Sequence, residues 1–219
     1  MSSAEAATAG GGLNVGEPAL ADAAIVRQGA VPVLRDSDAD RVHARAERLI
    51  EAGLTVIELT ATTPEWPELL RTLTTQFPAA TIGVGTITTP DDVATACEGG
   101  ARFLVSPFPA ESARVASSAA GTLFVGGGFT PAEISASSGS GLCKLFPAHL
   151  GGVAYLKTLT AILPGARIMP TGGIAVTEVS DWLRAGAVAV GVGSDLSNAP
   201  DLDSAVAELA KQVAEGRRR

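Results

Sequence analysis

Short apolar segments alternate with amphipathic segments along almost the whole chain, and this alternation restricts the possible folds more than any other feature. Eight candidate strands can be identified: Val31–Arg35, Val56–Thr60, Thr81–Thr86, Phe103–Pro107, Leu123–Gly127, Leu142–Phe146, Arg167–Thr171 and Ala187–Gly193. Between them, apolar residues recur at three- and four-residue steps, as Val42, Ala46 and Leu49 do, which is typical of helices with one buried face. Strands that alternate with helices need crossover connections, so a parallel sheet is predicted.

Eight such repeats in 219 residues predict an α/β fold, a single (β/α)8 TIM barrel, with an open doubly wound sheet as the alternative. One extra helix is expected before the first strand. Residues 1–19 are expected to form a flexible tail and residues 20–215 the barrel, because the tail is rich in Ala, Gly and Ser. Thr89-Pro90 and Thr130-Pro131 each predict a helix start, since threonine caps a helix and proline suits its first position.

The charge and the cysteines exclude several classes of protein. The net charge is −7, so a nucleic-acid surface, which needs clustered Lys and Arg, is not expected. No apolar segment approaches the ~20 residues that span a bilayer, and the first residues lack the features of a secretory signal. Cys97 and Cys143 are predicted on different elements, which argues against a disulfide framework and fits a cytoplasmic protein.

Polar side chains recur at the C-terminal ends of the predicted strands, where barrels place their active sites. They are Arg35, Glu58, Thr60, Thr86, Ser106, Lys144 and Thr171. Side chains alternate along a strand, so Glu58 and Thr60 share one face of their strand, as Lys144 and Phe146 do of theirs. If both faces point into the barrel, Glu58 and Lys144 approach each other.

Lys144 is the most informative of these residues. The chain contains three lysines, and Lys157 and Lys211 are expected on helix surfaces. Lys144 lies instead in an apolar strand, where burial favours the neutral amine that attacks a carbonyl carbon. The alternative is a structural lysine paired with Glu58, and Glu58 is correspondingly either an ion-pair partner or a proton shuttle.

Glycine clusters follow the last two predicted strands. Gly172-Gly173 comes after the seventh strand and Gly193-Ser194 after the eighth. Barrels commonly bind phosphate there through backbone N–H groups, and glycine lets the backbone approach the ligand closely. Each cluster alone could be a tight turn, but the two together predict a phosphate site.

The histidines do not suggest a metal site. The chain has two, His43 and His149, on different predicted elements, and no pair spaced as metal ligands on one face. His43 is interpreted as structural and His149 as a partly exposed loop residue. Neither a metal nor a cofactor is expected.

In the order and spacing of its motifs, the sequence resembles the 2-keto-3-deoxy-6-phosphogluconate (KDPG) aldolase and 4-hydroxy-2-oxoglutarate (KHG) aldolase family over roughly residues 20 to 215. The matching segments are Val31–Arg35, Val56–Thr60, Gly83–Thr86, Ser106-Pro107, Lys144–Ala148, Pro170–Ile174 and Gly193-Ser194. The resemblance implies a metal-independent barrel, usually a homotrimer. Such a barrel cleaves a 2-oxo-4-hydroxy acid to pyruvate and an aldehyde by class I, Schiff-base chemistry.

The resemblance also implies roles for individual residues. Lys144 would be the Schiff-base lysine, Glu58 the proton shuttle, and Thr86 a contact to the pyruvyl carboxylate. The substrate phosphate would be bound by Gly172, Gly173, Gly193 and Ser194, with Arg35 adding positive charge. Thr62 and Pro147 are also expected to border the substrate.

One departure from the family pattern concerns substrate binding. The family usually has an arginine for the substrate carboxylate where this chain has Thr62, so weaker carboxylate binding is expected, with Arg35 as partial compensation. The fifth strand has Gly126-Gly127 where the family usually has Pro-Gly. Two other hypotheses remain open: a phosphate-binding isomerase or epimerase barrel, which needs no strand lysine, and a catalytically degenerate barrel that serves as a binding protein.

Overall fold

A computed structural model describes residues 16–139 and 141–218 and contains eight parallel strands that nearly close into a barrel. The strands are β1 (Ala30–Leu34), β2 (Val56–Thr60), β3 (Thr81–Gly85), β4 (Phe103–Val105), β5 (Leu123–Gly128), β6 (Leu142–Leu145), β7 (Arg167–Pro170) and β8 (Val190–Val192). All eight predicted strands are therefore present, with ends that differ from the prediction by up to three residues.

The closure of the sheet decides between the barrel and the open-sheet alternative. Neighbouring strands follow chain order from β1 to β7, and β1 also pairs with β8. The last gap is bridged where Val188 N donates to Ile168 O at 3.0 Å and where Thr171 pairs with Gly191. The barrel prediction is confirmed, and the open sheet is wrong.

The helices lie between the strands, as predicted. They are α1 (Gly16–Gln28), α2 (Ala39–Glu51), α3 (Trp66–Gln76), α4 (Pro90–Glu98), α5 (Glu111–Ala119), α6 (Pro131–Ser138), α7 (Gly152–Ile162), α8 (Val179–Arg184), α9 (Ser194–Ser197) and α10 (Leu202–Gly216). Thr89 and Thr130 cap α4 and α6 with their hydroxyls, and both helices have proline at their start, as the sequence predicted. Of the helices in the described part of the chain, none is long and apolar enough to cross a membrane.

The extra helix α1 packs against the inside of the barrel at the N-terminal ends of the strands. Its buried Ala21, Ala24 and Ile25 belong to one apolar cluster with Val31 at the start of β1 and Val56 at the start of β2. The predicted tail, residues 1–19, falls largely outside the described residues, but α1 already begins at Gly16. This apolar contact leaves the opposite, C-terminal end of the barrel as the open one.

A second and larger apolar cluster lies between the barrel and its helices. Leu49 of α2, Leu70 of α3 and Leu156 of α7 pack there against strand residues such as Ile57 and Leu104, all with no exposed surface. Burial of such side chains contributes roughly 1.5–3 kcal/mol each. The strands are thus fixed on both faces, and the polar residues at their C-terminal ends are held on a rigid frame.

Candidate active site

A cavity of about 270 Å³ opens at the C-terminal ends of the strands. The predicted site residues that line it are Arg35, Glu58, Thr86, Lys144, Gly172, Gly173, Gly193 and Ser194. Thr62 and Pro147 are not among the described residues that line this cavity. The fold therefore brings together side chains that lie in or directly after β1, β2, β3 and β6 with glycines that follow β7 and β8.

Lys144 and Glu58 form a buried pair in this cavity. Lys144 Nζ lies 3.4 Å from Glu58 Oε1, and the two side chains are 6% and 1% exposed. Their strands, β6 and β2, are four places apart in the eight-stranded barrel and so face each other across it. Glu58 Oε2 is buried without a hydrogen-bond partner among the described residues. One carboxylate oxygen is thus paired with the amine while the other remains available for a proton.

Glycine makes the space that this pair occupies. A methyl group on Gly85 of β3 would overlap Glu58 Oε1, so the carboxylate lies where β3 would otherwise carry a side chain. Gly127 of β5 is in register with Lys144, and a methyl group there would overlap the backbone of Ser106. β3 and β5, which lie next to the strands of Glu58 and Lys144, therefore carry glycine and not a larger residue at the barrel mouth.

Cys143, next to Lys144 in the sequence, is a second possible nucleophile on this strand. Cys143 lies on the other face of β6, within the outer apolar cluster, and burial raises the pKa of its thiol to about 12. A thiol with that pKa stays protonated near neutral pH and is a poor nucleophile. Lys144 faces inward, with Nζ 5.3 Å from the centre of the Phe146 ring. In this strand the amine, not the thiol, faces the cavity.

The wall formed by β1, β2 and β3 carries a guanidinium group. Arg35 follows β1, and its Nη2 donates a 3.5 Å hydrogen bond to the hydroxyl of Thr86, which follows β3. Thr86 has φ of +64°, which is rare for a β-branched residue and tends to occur at functional sites. The exposed Thr62 instead donates from its hydroxyl to Thr60 Oγ1 at 3.2 Å.

The opposite wall, after β7 and β8, presents backbone N–H groups. Gly172 and Gly173 have φ of +97° and +69°, a conformation that glycine adopts without strain. Among the described residues, the N–H groups of Gly172, Gly173 and Ser194 have no protein acceptor. Such a group of N–H donors suits a phosphate or carboxylate.

His149 lies beside this wall and is exposed, as predicted. Its backbone N–H and its ring Nδ1 both lie close to Gly172 O, at 3.1 and 3.2 Å. His43 contacts Gln76 on α3 through Nε2 at 3.0 Å, which agrees with a structural role. Neither histidine lines the cavity.

Some residues that line the cavity were not predicted as site residues. Thr171 is buried at the end of β7, and its hydroxyl has no partner among the described residues. Its polarity at a strand end was the available signal. Phe146 shares the inward face of Lys144. Ser197 ends the short helix α9 and Asn198 follows it, and neither gave a sequence signal.

Comparison with known proteins identifies the family of this chain. The family described as "KDPG and KHG aldolase" matches residues 22–211. A 2-dehydro-3-deoxy-phosphogluconate aldolase of Dickeya dadantii is 31% identical over 193 residues, which cover 85% of this chain and 91% of that protein. A 2-dehydro-3-deoxy-6-phosphogalactonate aldolase of Escherichia coli is 28% identical, over 77% of this chain and 84% of that protein.

A solved structure of similar fold belongs to the same group. It is a KDPG aldolase of Legionella pneumophila with pyruvate captured as a covalent carbinolamine intermediate, with a TM-score of 0.74 and 26% identity over 88% of this chain and 96% of that one. The chain therefore belongs to the KDPG and KHG aldolase family, and it is an aldolase, that is, a lyase.

Proposed function

We propose that this protein is a class I aldolase in which Lys144 forms the Schiff base and Glu58 transfers protons. Its substrate is a 2-keto-3-deoxy-6-phospho sugar acid or 4-hydroxy-2-oxoglutarate, and its products are pyruvate and an aldehyde. The observation that carries this proposal is the buried Lys144–Glu58 pair, 3.4 Å apart, in the open mouth of the barrel. Lys157 and Lys211 are both exposed on helices.

The pair can perform every proton transfer that the reaction needs. Neutral Lys144 attacks the C2 carbonyl carbon, and Glu58 protonates the departing hydroxyl so that water leaves and an iminium forms. Glu58, through a water molecule, then takes the proton of the C4 hydroxyl. The C3–C4 bond breaks and the aldehyde leaves. The electron pair of the broken bond moves toward the iminium, which becomes an enamine. Protonation of the enamine at C3 by Glu58, followed by hydrolysis of the imine, releases pyruvate.

The remaining residues of the cavity bind the two ends of the substrate. Thr86 contacts the carboxylate end, next to the carbon that Lys144 attacks. The unpaired N–H groups of Gly172, Gly173 and Ser194, together with Gly193, bind the phosphate end. Relatives named for both phosphogluconate and phosphogalactonate are similar to this chain, so the proposal covers both sugar acids.

Reductive trapping tests the Schiff base directly. The protein is treated with pyruvate and cyanoborohydride, which reduces imines, and then digested for mass spectrometry. One pyruvyl unit should appear on the peptide that contains Lys144, and Lys144→Met should abolish it. Lys157→Met, which removes an exposed lysine of α7, is the matched control and should be labelled like the wild type.

Two outcomes would contradict the proposal. Label on Lys157 or Lys211 would show that the amine of Lys144 is not the nucleophile. The absence of any label, together with phosphate binding, would favour an isomerase or epimerase barrel, which shares the glycine clusters but needs no imine.

We also propose that the protein works as a cytoplasmic homotrimer without a metal or cofactor. In the described residues, no group of three His, Cys, Asp or Glu side chains is placed to hold a metal ion. The free thiols of Cys97 and Cys143 suit a reducing compartment. Light scattering should give three times the chain mass, and a chelator should leave cleavage unchanged. Activity lost with a chelator and restored by a divalent metal would overturn the class I assignment.

A further inference from the structure

We propose that Arg35 binds the carboxylate of the 2-oxo acid and so supplies, from β1, the cation that position 62 beside β2 lacks. This assignment rests on the proposed Schiff-base function. The sequence suggested two roles for Arg35, charge at the phosphate and partial compensation at the carboxylate, and this proposal assigns it the second. It makes Arg35 a determinant of which carbonyl compounds the site accepts.

Strand register explains how Arg35 reaches the carboxylate end. Leu34 of β1 is in register with Leu59 of β2, and Thr60 of β2 with Gly85 of β3, so the three strands end side by side. Arg35 and Thr86 are the next residues after β1 and β3. The 3.5 Å hydrogen bond between them therefore spans the end of β2 and places the guanidinium next to Thr86.

The side chain of Arg35 can point toward either of the two strands that flank β1. In the barrel, β1 lies between β2 and β8, so an arginine after β1 could lean toward the carboxylate end or toward the glycines after β8. The hydrogen bond to Thr86 turns it toward β2 and β3. On the other side, neutral N–H donors from Gly172, Gly173 and Ser194 already face the cavity.

Thr62 is not placed to bind the substrate carboxylate. The hydroxyl of Thr62 is donated to Thr60, whose own hydroxyl donates to Leu34 O at 3.2 Å. Thr62 is exposed and lies outside the described lining of the cavity. An anion that approaches Thr86 therefore meets Arg35 and not Thr62.

The charges of the cavity also favour Arg35 as the cation that pairs with the substrate carboxylate. The described side chains that line the cavity include two basic groups, Lys144 and Arg35. Lys144 must lose its charge to attack C2 and then becomes part of the imine, so it cannot be the ion-pair partner of the neighbouring carboxylate. A guanidinium keeps its charge and can bind both carboxylate oxygens at once.

A comparison of pyruvate with its neutral amide, pyruvamide, isolates this contact. The concentration of each that gives half-maximal cyanoborohydride trapping on Lys144 is measured for the wild type, Arg35→Met and Arg35→Gln. We expect both variants to raise the value for pyruvate by about 10- to 100-fold, the loss of a hydrogen bond to a charged group, and to change that for pyruvamide little. Arg71→Met, which removes an exposed arginine of α3 outside the cavity, is the matched control and should change neither value.

A swap of the two positions completes the test. Arg35→Thr should lose affinity for pyruvate, and Arg35→Thr combined with Thr62→Arg should regain part of it, because the cation returns from the neighbouring strand. A double variant no better than Arg35→Thr, or Arg35 variants that keep the wild-type preference for pyruvate over pyruvamide, would overturn the assignment. Arg35 is exposed, and circular dichroism of each variant verifies the fold.

The outcomes separate this inference from the function on which it rests. If the wild type is not trapped by either compound, the Schiff-base function is wrong and the role of Arg35 falls with it. If the wild type is trapped normally but Arg35→Met weakens only competition by inorganic phosphate, the function stands and Arg35 serves the phosphate end instead.

Discussion

Glu58 shows how one side chain can serve both the fold and the reaction. Oε1 contacts Lys144 while Oε2 is buried without a partner among the described residues, which is costly in a structural role alone. Glu58→Gln keeps the size of the side chain but replaces one carboxylate oxygen with an amide NH2 group, which cannot shuttle a proton. We predict a fall in kcat of ~10²–10⁴ with little change in thermal unfolding, because general acid–base residues contribute that much.

Steady-state cleavage assays and calorimetry measure the two quantities. Glu111→Gln, on the surface of α5, is the control and should retain wild-type turnover. Near wild-type turnover of Glu58→Gln would show that Glu58 is only the ion-pair partner of Lys144.

Gly85 offers an independent way to disturb the same carboxylate without removing it. A methyl group there would overlap Glu58 Oε1, so Gly85→Ala must push the carboxylate away from Lys144. We predict a loss of turnover comparable to that of Glu58→Gln, together with slower pyruvate trapping. Gly139→Ala is a control for adding a methyl group to a glycine elsewhere, because Gly139 has a helical φ of −60° and an added methyl group there would make only an ordinary contact of 3.7 Å with Ala136 O. Unchanged trapping in Gly85→Ala would mean that the position of Glu58 does not matter for imine formation.

The helix caps show which features sequence patterns predict well. Both Thr-Pro starts were predicted because a cap is a local interaction between residues three apart. The side chain of Glu133 accepts hydrogen bonds from Thr130 N at 2.8 Å and Phe129 N at 3.1 Å. These bonds, first those from the backbone and the hydroxyl of Thr130, lower the pKa of Glu133.

The cap of α6 leads to a prediction about stability and pH. Thr130→Ala should lower the free energy of unfolding by about 1 kcal/mol, as measured in urea. Because the folded state lowers the pKa of Glu133, its contribution is present above the pKa of the unfolded chain and is lost as pH falls through the folded value. Glu133→Gln should therefore be less stable than the wild type at pH 7, and the difference should shrink in acid. A difference independent of pH would show that the charge of Glu133 plays no part.

The sequence predicted the presence of each strand better than the residue at which it ends, and the site residues lie at these ends. Alternation predicted β3 through Thr86, but the ladder ends at Gly85 because Thr86 turns to a positive φ. The same alternation correctly brought Glu58 and Lys144 together, since period-two patterning fixes the face of a strand. The turn of Arg35 toward Thr86 depends on side-chain contacts between separate strands, which no local pattern carries.

The overall charge makes local contacts decisive for substrate binding. With a net charge of −7, the field of the protein opposes the approach of an anionic substrate. Affinity must therefore come from the cavity, with Arg35 on one wall and the N–H groups after β7 and β8 on the other. A sugar acid with a phosphate at its far end uses both walls, whereas the same acid without the phosphate uses only the first.

This division predicts the substrate preference of the enzyme. We expect a 2-keto-3-deoxy sugar acid with a 6-phosphate to have a KM about 10- to 100-fold lower than the same acid without it, because N–H bonds to a charged group contribute ~1.5–3 kcal/mol. Ser194→Ala, which removes a hydroxyl from the phosphate wall, should raise KM for the phosphorylated acid only, whereas Arg35→Met should raise it for both. Coupled measurement of pyruvate release gives these values. A preference for unphosphorylated 4-hydroxy-2-oxoglutarate, or equal effects of Ser194→Ala on both acids, would show that the wall after β7 and β8 binds something other than phosphate.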